Sequence, residues 1–522
     1  MSSAKDSAYK SHALNPLIKE DHLARSLSAR QVNLICIAGC IGSGLFLSTG
    51  KALASSGPAS LLICYAIIAV IVYFTMLSLG EMSTYTPIAG SFCSFATRYV
   101  DEAFGFALTW NYWFNDAVSV ASDLTALQLI MKYWTDWHPW AISLIFWAVL
   151  VGLNLVSVRV YGEFEYWLAI LKVVTIIIFI ILGIVVNCGA NTSNQYIGFH
   201  YWYIGDAPFV DGFKGFAKVF VSAAFAYGGT ESIAITAGET KNPSRVMPKV
   251  VKMVFWRILF FYLLSVLIIG INVPYNYKGL ETKNSATSPF TIVFQMAGSK
   301  AAGSFINAVI FTSLISAGNH AMYAGTRLLY SLGAQGYAPK VFTTLSKNKV
   351  PYVALAATSA VSGLCFGASF IGAGTLWSWL QNLVGVSNQL AWWSIGLTSF
   401  RFRKAMDLQG KTHLLKFKSW ANPWGNYVVV IGTTVIILIQ GWSSFAPWNV
   451  SNFFSNYIEL GVMPVMYLGW KLIKRTKYVK LEDMDLETDK YIETEDEKLE
   501  NEELSNLKGW PKWRREILSF IV

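Results

Sequence analysis

Ala38-Gly39-Cys40-Ile41-Gly42-Ser43-Gly44-Leu45-Phe46 lies in the middle of an apolar run that covers about 33–54. A second stretch of the same kind, Phe225-Ala226-Tyr227-Gly228-Gly229-Thr230-Glu231, lies in the middle of a run over about 214–238. Both runs are long enough to cross a bilayer as helices, and the glycines fall where such a helix would be deepest in hydrocarbon. Glycine lacks a Cβ, so the chain can leave the helical conformation there at little steric cost. A helix that opens leaves N–H and C=O groups without intrahelical partners. The N–H groups suit an anion such as a carboxylate, and the C=O groups suit an ammonium. Glycines in membrane helices also have a plainer use, which is close backbone packing. For one cluster, packing is the simpler reading. Two clusters at matching places in two halves of the chain, with an acid just after the second, favour open helices with a binding site between them.

The rest of the chain supports a membrane setting. Of 522 residues, 54% are hydrophobic and 14% are charged, whereas a soluble domain carries about a quarter charged residues. Apolar runs of spanning length recur at about 33–54, 59–80, 104–131, 139–158, 166–187, 214–238, 251–274, 303–333, 351–373, 376–400, 426–447 and 453–473. Helices are the expected form, because every backbone polar group in lipid must be satisfied internally. The predicted fold class is an all-α membrane protein with twelve transmembrane helices. Trp110, Trp113, Trp137, Trp140 and Trp442 fall at the ends of runs, which suits an interfacial belt.

The net charge of +10 does not point to nucleic acid, because the basic residues are scattered through short loops. Lys241, Arg245, Lys249 and Lys252 follow span six, and Arg401, Arg403, Lys404, Lys411, Lys416 and Lys418 follow span ten. The stretches 188–212 and 441–451 hold no Lys or Arg. This asymmetry predicts cytoplasmic termini and puts the sequons at Asn191 and Asn449 outside. The six cysteines show no paired spacing, so neither a disulfide framework nor a zinc site is expected. No cleavable signal peptide is visible in the polar first thirty residues. The acidic stretch 482–503 cannot build a core and is expected to be disordered, and 510–522 reads as a short amphipathic segment. The organisation expected is a cytoplasmic tail (1–32), a transporter domain (33–473) and a cytoplasmic acidic tail (474–522).

Ionisable groups inside the spans cost about 3 kcal/mol each on insertion scales, so each asks for a reason. Span three holds Asp116 and Asp123, seven residues apart and on one helical face. Span five holds Lys172, span six Glu231, and span eight Asn319 and His320. Three acids against one lysine leave negative charge that can attract a cationic side chain or store a transported proton. The plainer alternative is an ion pair between Lys172 and an acid that locks helices together. Asp116 follows the polar, aromatic 110–115 stretch and can instead border an aqueous vestibule. His320 reads as a packing residue. No metal-ligand spacing, phosphate loop or nucleophile elbow is present, so no enzyme reading fits.

Several stretches together are specific. They are Ile41-Gly42-Ser43-Gly44-Leu45-Phe46, Ser78-Leu79-Gly80-Glu81-Met82, Phe104-Gly105-Phe106-Ala107 with Trp110-Asn111-Tyr112-Trp113, and Val160-Tyr161-Gly162-Glu163-Phe164-Glu165. Gly229-Thr230-Glu231, Ala237-Gly238-Glu239, Asn242-Pro243 and Ser316-Ala317-Gly318-Asn319 follow. On these residues the chain, over about 27–481, resembles the amino acid permeases of the amino acid–polyamine–organocation superfamily. It looks most like the fungal basic amino acid permeases and the bacterial lysine permease.

The resemblance implies an inverted five-plus-five repeat (about 33–187 and 214–400), discontinuous helices one and six, and two extra helices (426–473). It implies alternating access with proton symport, the proton gradient being the driving force and no cofactor or metal being needed. By the same analogy Ile41, Gly42, Ser43 and Gly44 cradle the substrate main chain with Gly228 and Thr230. Glu231 and Tyr112 match positions of substrate recognition, and Phe225 matches a gating aromatic. Lys172 matches a lysine that stands in for a sodium ion and takes part in proton coupling, for which Asp123 is the second candidate. Glu239 matches an acid near the cytoplasmic end of span six. Two positions depart from the pattern: Asp116 stands where the bacterial lysine permease has Trp, and Gly228 where basic-type permeases have Gln. Both lie near the presumed site, and Asp116 is a further substrate-binding candidate, since an added acid fits a cationic substrate, though an acid can also serve coupling alone.

The function expected is proton-coupled import of amino acids across a plasma membrane, with lysine or arginine leading. The alternatives are a neutral or broad-range permease and an amino acid-sensing receptor of the same fold. The expected partners are the amino acid, protons, the lipid bilayer and ubiquitin-linked turnover machinery acting on lysines such as Lys5, Lys10 or Lys490.

Overall fold

The computed structural model describes residues 39, 41–88, 90–156, 158–235, 240, 242–280, 287–298, 300–495 and 497–499. Lys5, Lys10, Glu239 and the 510–522 segment lie outside the described residues. Those described are mainly helical, with an isolated β-bridge between Phe445 and Trp448.

After a bend at Ile41 and Gly42, a π turn (Gly44–Ser48) runs into α1 (Thr49–Tyr85). α1 joins the expected first and second spans across a kink at Gly57, which adopts φ 81°, just before Pro58. There follow α2 (Ser91–Tyr99), α3 (Glu102–Met131), α4 (Pro139–Val156) and α5 (Val158–Asn187). The expected sixth span is two pieces, α6 (Gly212–Tyr227) and α7 (Ser232–Ile235). The seventh is α8 (Pro243–Arg257) and α9 (Leu264–Asn272), joined by a π turn (Ile258–Leu263). α10 (Pro289–Met296) precedes α11 (Lys300–Ala334). α12 (Tyr352–Ser362) and α13 (Ala368–Ile371) form the ninth, and α14 (Ala373–Leu408), α15 (Trp424–Ile439) and α16 (Val450–Lys474) complete the order. The short helices α2 and α10 lie between the apolar runs, where hydropathy carries no signal for them.

Six helical stretches among the described residues are long and apolar enough to span a membrane on length and composition alone: Gly44–Tyr85, Glu165–Asn187, Pro243–Asn272, Ala301–Ala334, Tyr352–Ile371 and Trp424–Ser444. α3 and α14 have the length, 30 and 36 residues, but buried polar side chains such as Asn115, Asp116, Asp123, Gln381 and Asn388 dilute their apolar character. Those two helices are the centre of the molecule. α3 packs along α11 and α14, and α14 also packs on α6 and α1. Outward faces are apolar: Ile181, Leu438, Val465 and Phe370 are exposed. Contiguous apolar surface of this kind is unfavourable in water and natural in lipid.

The Lys/Arg-rich end of the bundle is tied by specific pairs. Glu81, buried on α1, accepts the Ser419 N–H at 2.7 Å and pairs with Arg403 at 2.8 Å. Asp101 caps α3 through the Ala103 N–H at 3.0 Å and reaches α16 through Lys471.

The acidic tail differs from expectation. Residues 475–495 run as an ordered strap across this end. The Val479 N–H donates to Val100 O at 3.0 Å, and the Tyr491 N–H to Tyr85 O at 2.9 Å. Arg98 donates to Thr488 O at 2.8 Å and pairs with Asp489 at 2.7 Å. Gln409 donates to Met484 O at 2.9 Å, Lys411 pairs with Glu487 at 2.7 Å, and Ser244 donates to Glu493 at 2.5 Å. Met484 and Leu486 are buried beneath the strap. Composition reported the low apolar content correctly, but the tail is held by basic side chains and helix-end carbonyls, with a few apolar anchors such as Met484 and Leu486. Lys490 pairs with Glu487 at 3.4 Å within it.

The hydrogen bond from Lys411 holds the Glu487 carboxyl below its ordinary value. Its contribution is therefore present above the unfolded carboxylate pKa and is lost as pH falls through the depressed one. Replacing Arg98 and Lys411 together with Ala is expected to speed limited proteolysis of the tail about fivefold, since each partly exposed pair contributes up to about 1 kcal/mol. Cleavage at the wild-type rate would show that these pairs do not hold the strap.

One sequon changes meaning. Asn191 is buried, and its side-chain amide donates to Val186 O at 2.9 Å and Gln195 O at 2.7 Å, so the folded loop hides it. Asn449 is exposed and caps α16.

Candidate functional site

The first break is at Ile41 and Gly42, which form a bend between helical Gly39 and helical Ser43. The Ser43 hydroxyl donates to Asp123 Oδ1 on α3 at 2.6 Å. Gly44 serves close approach: a Cβ there would lie 2.5 Å from Ala226 Cα on α6, a backbone atom that cannot give way. The two glycine-rich stretches therefore touch. The Gly44→Val variant is expected to lower uptake per surface copy at least tenfold, given about 1–3 kcal/mol for overpacking a tight contact. Uptake at the wild-type rate would remove this crossing from the account.

The second break is wider. α6 ends at Tyr227, and the chain turns through Gly228 (φ −57°, ψ 151°) and Gly229 (φ 83°) before α7 resumes at Ser232. The left-handed φ at Gly229 is the position a type II turn reserves for glycine. The Thr230 hydroxyl donates to Tyr227 O, capping a carbonyl that the break has freed. Phe225, half-buried, packs against the apolar core one turn before the break. Ile41, Tyr227 and Thr230 line a small cavity shared with Arg257 and Tyr262 of the seventh span.

Glu231 is fully buried, and its carboxylate is well supplied with donors. It accepts from Tyr112 Oη at 2.7 Å, from Trp392 Nε1 on α14 at 3.1 Å and from the Gly229 N–H at 3.4 Å. It ties the broken segment to α3 and α14. A Cβ at Gly228 would collide with Asn388 Nδ2. Asn388 thus occupies the space a larger residue at 228 would need; it accepts from Asn115 at 2.9 Å and donates to Ala224 O at 3.2 Å.

A second polar cluster lies toward α5. Lys172, fully buried, donates to Ser316 Oγ at 2.9 Å, and Ser316 donates to Glu165 Oε2 at 2.5 Å. Asn319 donates to the other Glu165 oxygen at 3.2 Å and accepts from Asn154 at 2.9 Å. The charge of Lys172 acts on both Asp123 and Glu165. Through Asp123 and Ser43 this cluster reaches the first break. His320 packs on Gly39, where a Cβ would meet its ring at 2.9 Å.

The arrangement thus brings Ser43 to Asp123, Tyr112 to Glu231, and Gly44 to α6. It does not put Glu231 in the open. Sequence reading missed the roles of Glu165, Asn388 and Trp392. Glu165 had a usable signal, since it stands seven residues before Lys172 on the same helical face. Asn388 and Trp392 sit in a polar interruption of an apolar run, which is the same kind of cue.

A family model described as amino acid permease matches residues 31–482. The chain belongs to the amino acid permease family. It is similar to a "Probable amino-acid permease" of Schizosaccharomyces pombe, 46% identical over 90% of this chain and 96% of that one. The "Lysine-specific permease LysP" of Escherichia coli is 42% identical over 88% of this chain and 96% of its own. The "General amino-acid permease GAP2" of Candida albicans is 38% identical over 89% and 81%. As a member of this family with several long apolar helices, the permease is a multi-pass membrane protein with amino acids as its substrate class.

Proposed function

We propose that this permease imports amino acids across the plasma membrane by proton-coupled alternating access, with basic amino acids as leading substrates. The observation that carries the reading is the meeting of two broken helices, each break anchored to α3: Ser43 to Asp123 and Glu231 to Tyr112. The resumed helices after Gly42 and after Glu231 offer N–H groups to a carboxylate, and the segments before the breaks offer C=O groups to an ammonium. An α-amino acid presents both. In this reading twelve spans form the inverted repeat with two extra helices, and both tails are cytoplasmic, as loop charge favours.

Lys172, Ser316 and Glu165 form the coupling element together with Asp123. Movement of the first break changes the contacts of Asp123, and a change in charge on Asp123 alters its pull on Ser43. That reciprocity is what a symporter needs. The similarity to a lysine-specific permease supports the basic reading, and the similarity to a general permease supports broad range as the second reading.

The test is uptake of labelled lysine in transport-deficient cells, with and without a proton uncoupler, followed by competition with unlabelled amino acids. The expected result is uncoupler-sensitive lysine accumulation, competed most strongly by arginine and other cationic amino acids. Equal competition by neutral amino acids would favour the broad reading. Absence of accumulation of any amino acid would leave a receptor.

A further inference from the structure

α3 turns one face toward both breaks. Tyr112 on that face holds Glu231 at the second break, and Asp123 holds Ser43 at the first. Asp116 is between them, one turn or about 6 Å along the helix from Tyr112 and two turns or about 10 Å from Asp123. Along the axis it therefore lies between the two residues that hold the broken segments.

The state of its carboxylate contrasts with that of Glu231. Glu231 has three donors on it. Asp116 is 8% exposed, and its Oδ2 is buried with no hydrogen-bond partner among the described residues. α11 passes opposite at Gly325, where an added Cβ would meet Asp116 Cβ at 3.0 Å and Thr358 Cγ2 at 3.3 Å. On this side Asp116 packs against Gly325 of α11, which offers no cation. Of the cations in the bundle, Lys172 donates to Ser316 and the Arg327 guanidinium lies over the Tyr323 ring at 4.7 Å, while Arg257 lines the cavity at the breaks. An orphaned buried carboxylate is costly, so a partner that arrives during the transport cycle gains from meeting it.

We propose that Asp116, not Glu231, is the seat for the cationic side chain of a basic amino acid. The proposal rests on the reading above that the breaks hold the substrate main chain. With the main chain there, a lysine or arginine side chain directed toward α3 brings its charge to Asp116 and forms a charge-assisted hydrogen bond. A neutral side chain of the same length leaves the acid unpaired, and that penalty is the source of discrimination. Glu231 has a positioning role: it orders the second break through Tyr112 and Trp392.

The experiment compares uptake of labelled L-lysine and of its neutral analogue L-norleucine, normalised to surface protein, in wild type, Asp116→Asn and Asp116→Glu. Wild type is expected to favour lysine. Asp116→Asn is expected to lower the lysine-to-norleucine ratio by on the order of tenfold or more, because lysine uptake falls further than norleucine uptake. Asp116→Glu is expected to retain much of the preference. A ratio unchanged in Asp116→Asn, or an equal loss of both substrates, overturns the seat. Wild type that moves norleucine but not lysine also overturns it, while leaving the permease reading intact. Wild type that moves no amino acid at all defeats the permease reading, and the seat falls with it.

Discussion

Glu231→Gln is expected to cut amino acid uptake about a hundredfold or more while surface protein persists. The carboxylate at 231 is purely an acceptor, and it faces Tyr112 Oη, Trp392 Nε1 and the Gly229 N–H. Glutamine has almost the same shape but replaces one oxygen by an NH2 group. One of those donors would then confront another donor in a buried place. Leaving a buried group unsatisfied costs about 1–3 kcal/mol, and more where a charged acceptor is lost. At 1.4 kcal/mol per tenfold, about 3 kcal/mol corresponds to two orders of magnitude. The damage falls on the second break, so uptake of basic and neutral amino acids should fall together. The measurement is initial uptake rate per surface copy for both. Near-normal rates would mean that the break does not depend on this carboxylate.

Lys172→Ala is expected to abolish concentrative uptake. Lys172 is the donor to Ser316, and it supplies positive charge to Glu165 and Asp123. Removing one member of a buried charged group leaves the remainder uncompensated, a loss of about 3–5 kcal/mol. Residual movement should be downhill exchange that is insensitive to an uncoupler. The readout is the steady-state accumulation ratio of the substrate at acidic and neutral external pH. A wild-type dependence on pH would take Lys172 out of the coupling element.

The gap between α6 and α7 and the bend at Ile41 and Gly42 both fall on glycine clusters that stand out in the apolar runs of the sequence. Gly229 adopts φ 83° in the gap between α6 and α7, whereas Gly42, in a bend, packs on Ala317 and Gly44 packs on Ala226. Asp116 and Asp123 were legible as one helical face. Which acid was already satisfied was not, because that depends on Tyr112 and Trp392, which come from helices far apart in sequence. Lys172 was singled out as an isolated charge, yet its relay through Ser316 to Glu165 joins residues 144 and 151 positions apart. The strap shows the limit of compositional reasoning. A chain too polar to fold alone is ordered here by carbonyls at Tyr85 and Val100 and by the bases Arg98, Arg401 and Lys411.

The claim on which the rest depends is that a substrate amino acid lies between the two opened segments. An experimental structure of the protein in nanodiscs with bound L-lysine addresses it directly. Density for the lysine main chain is expected between Gly42–Ser43 and Gly229–Thr230, with its side chain running toward α3. Two uninterrupted helices through these glycines, with the lysine bound at another place, would contradict it.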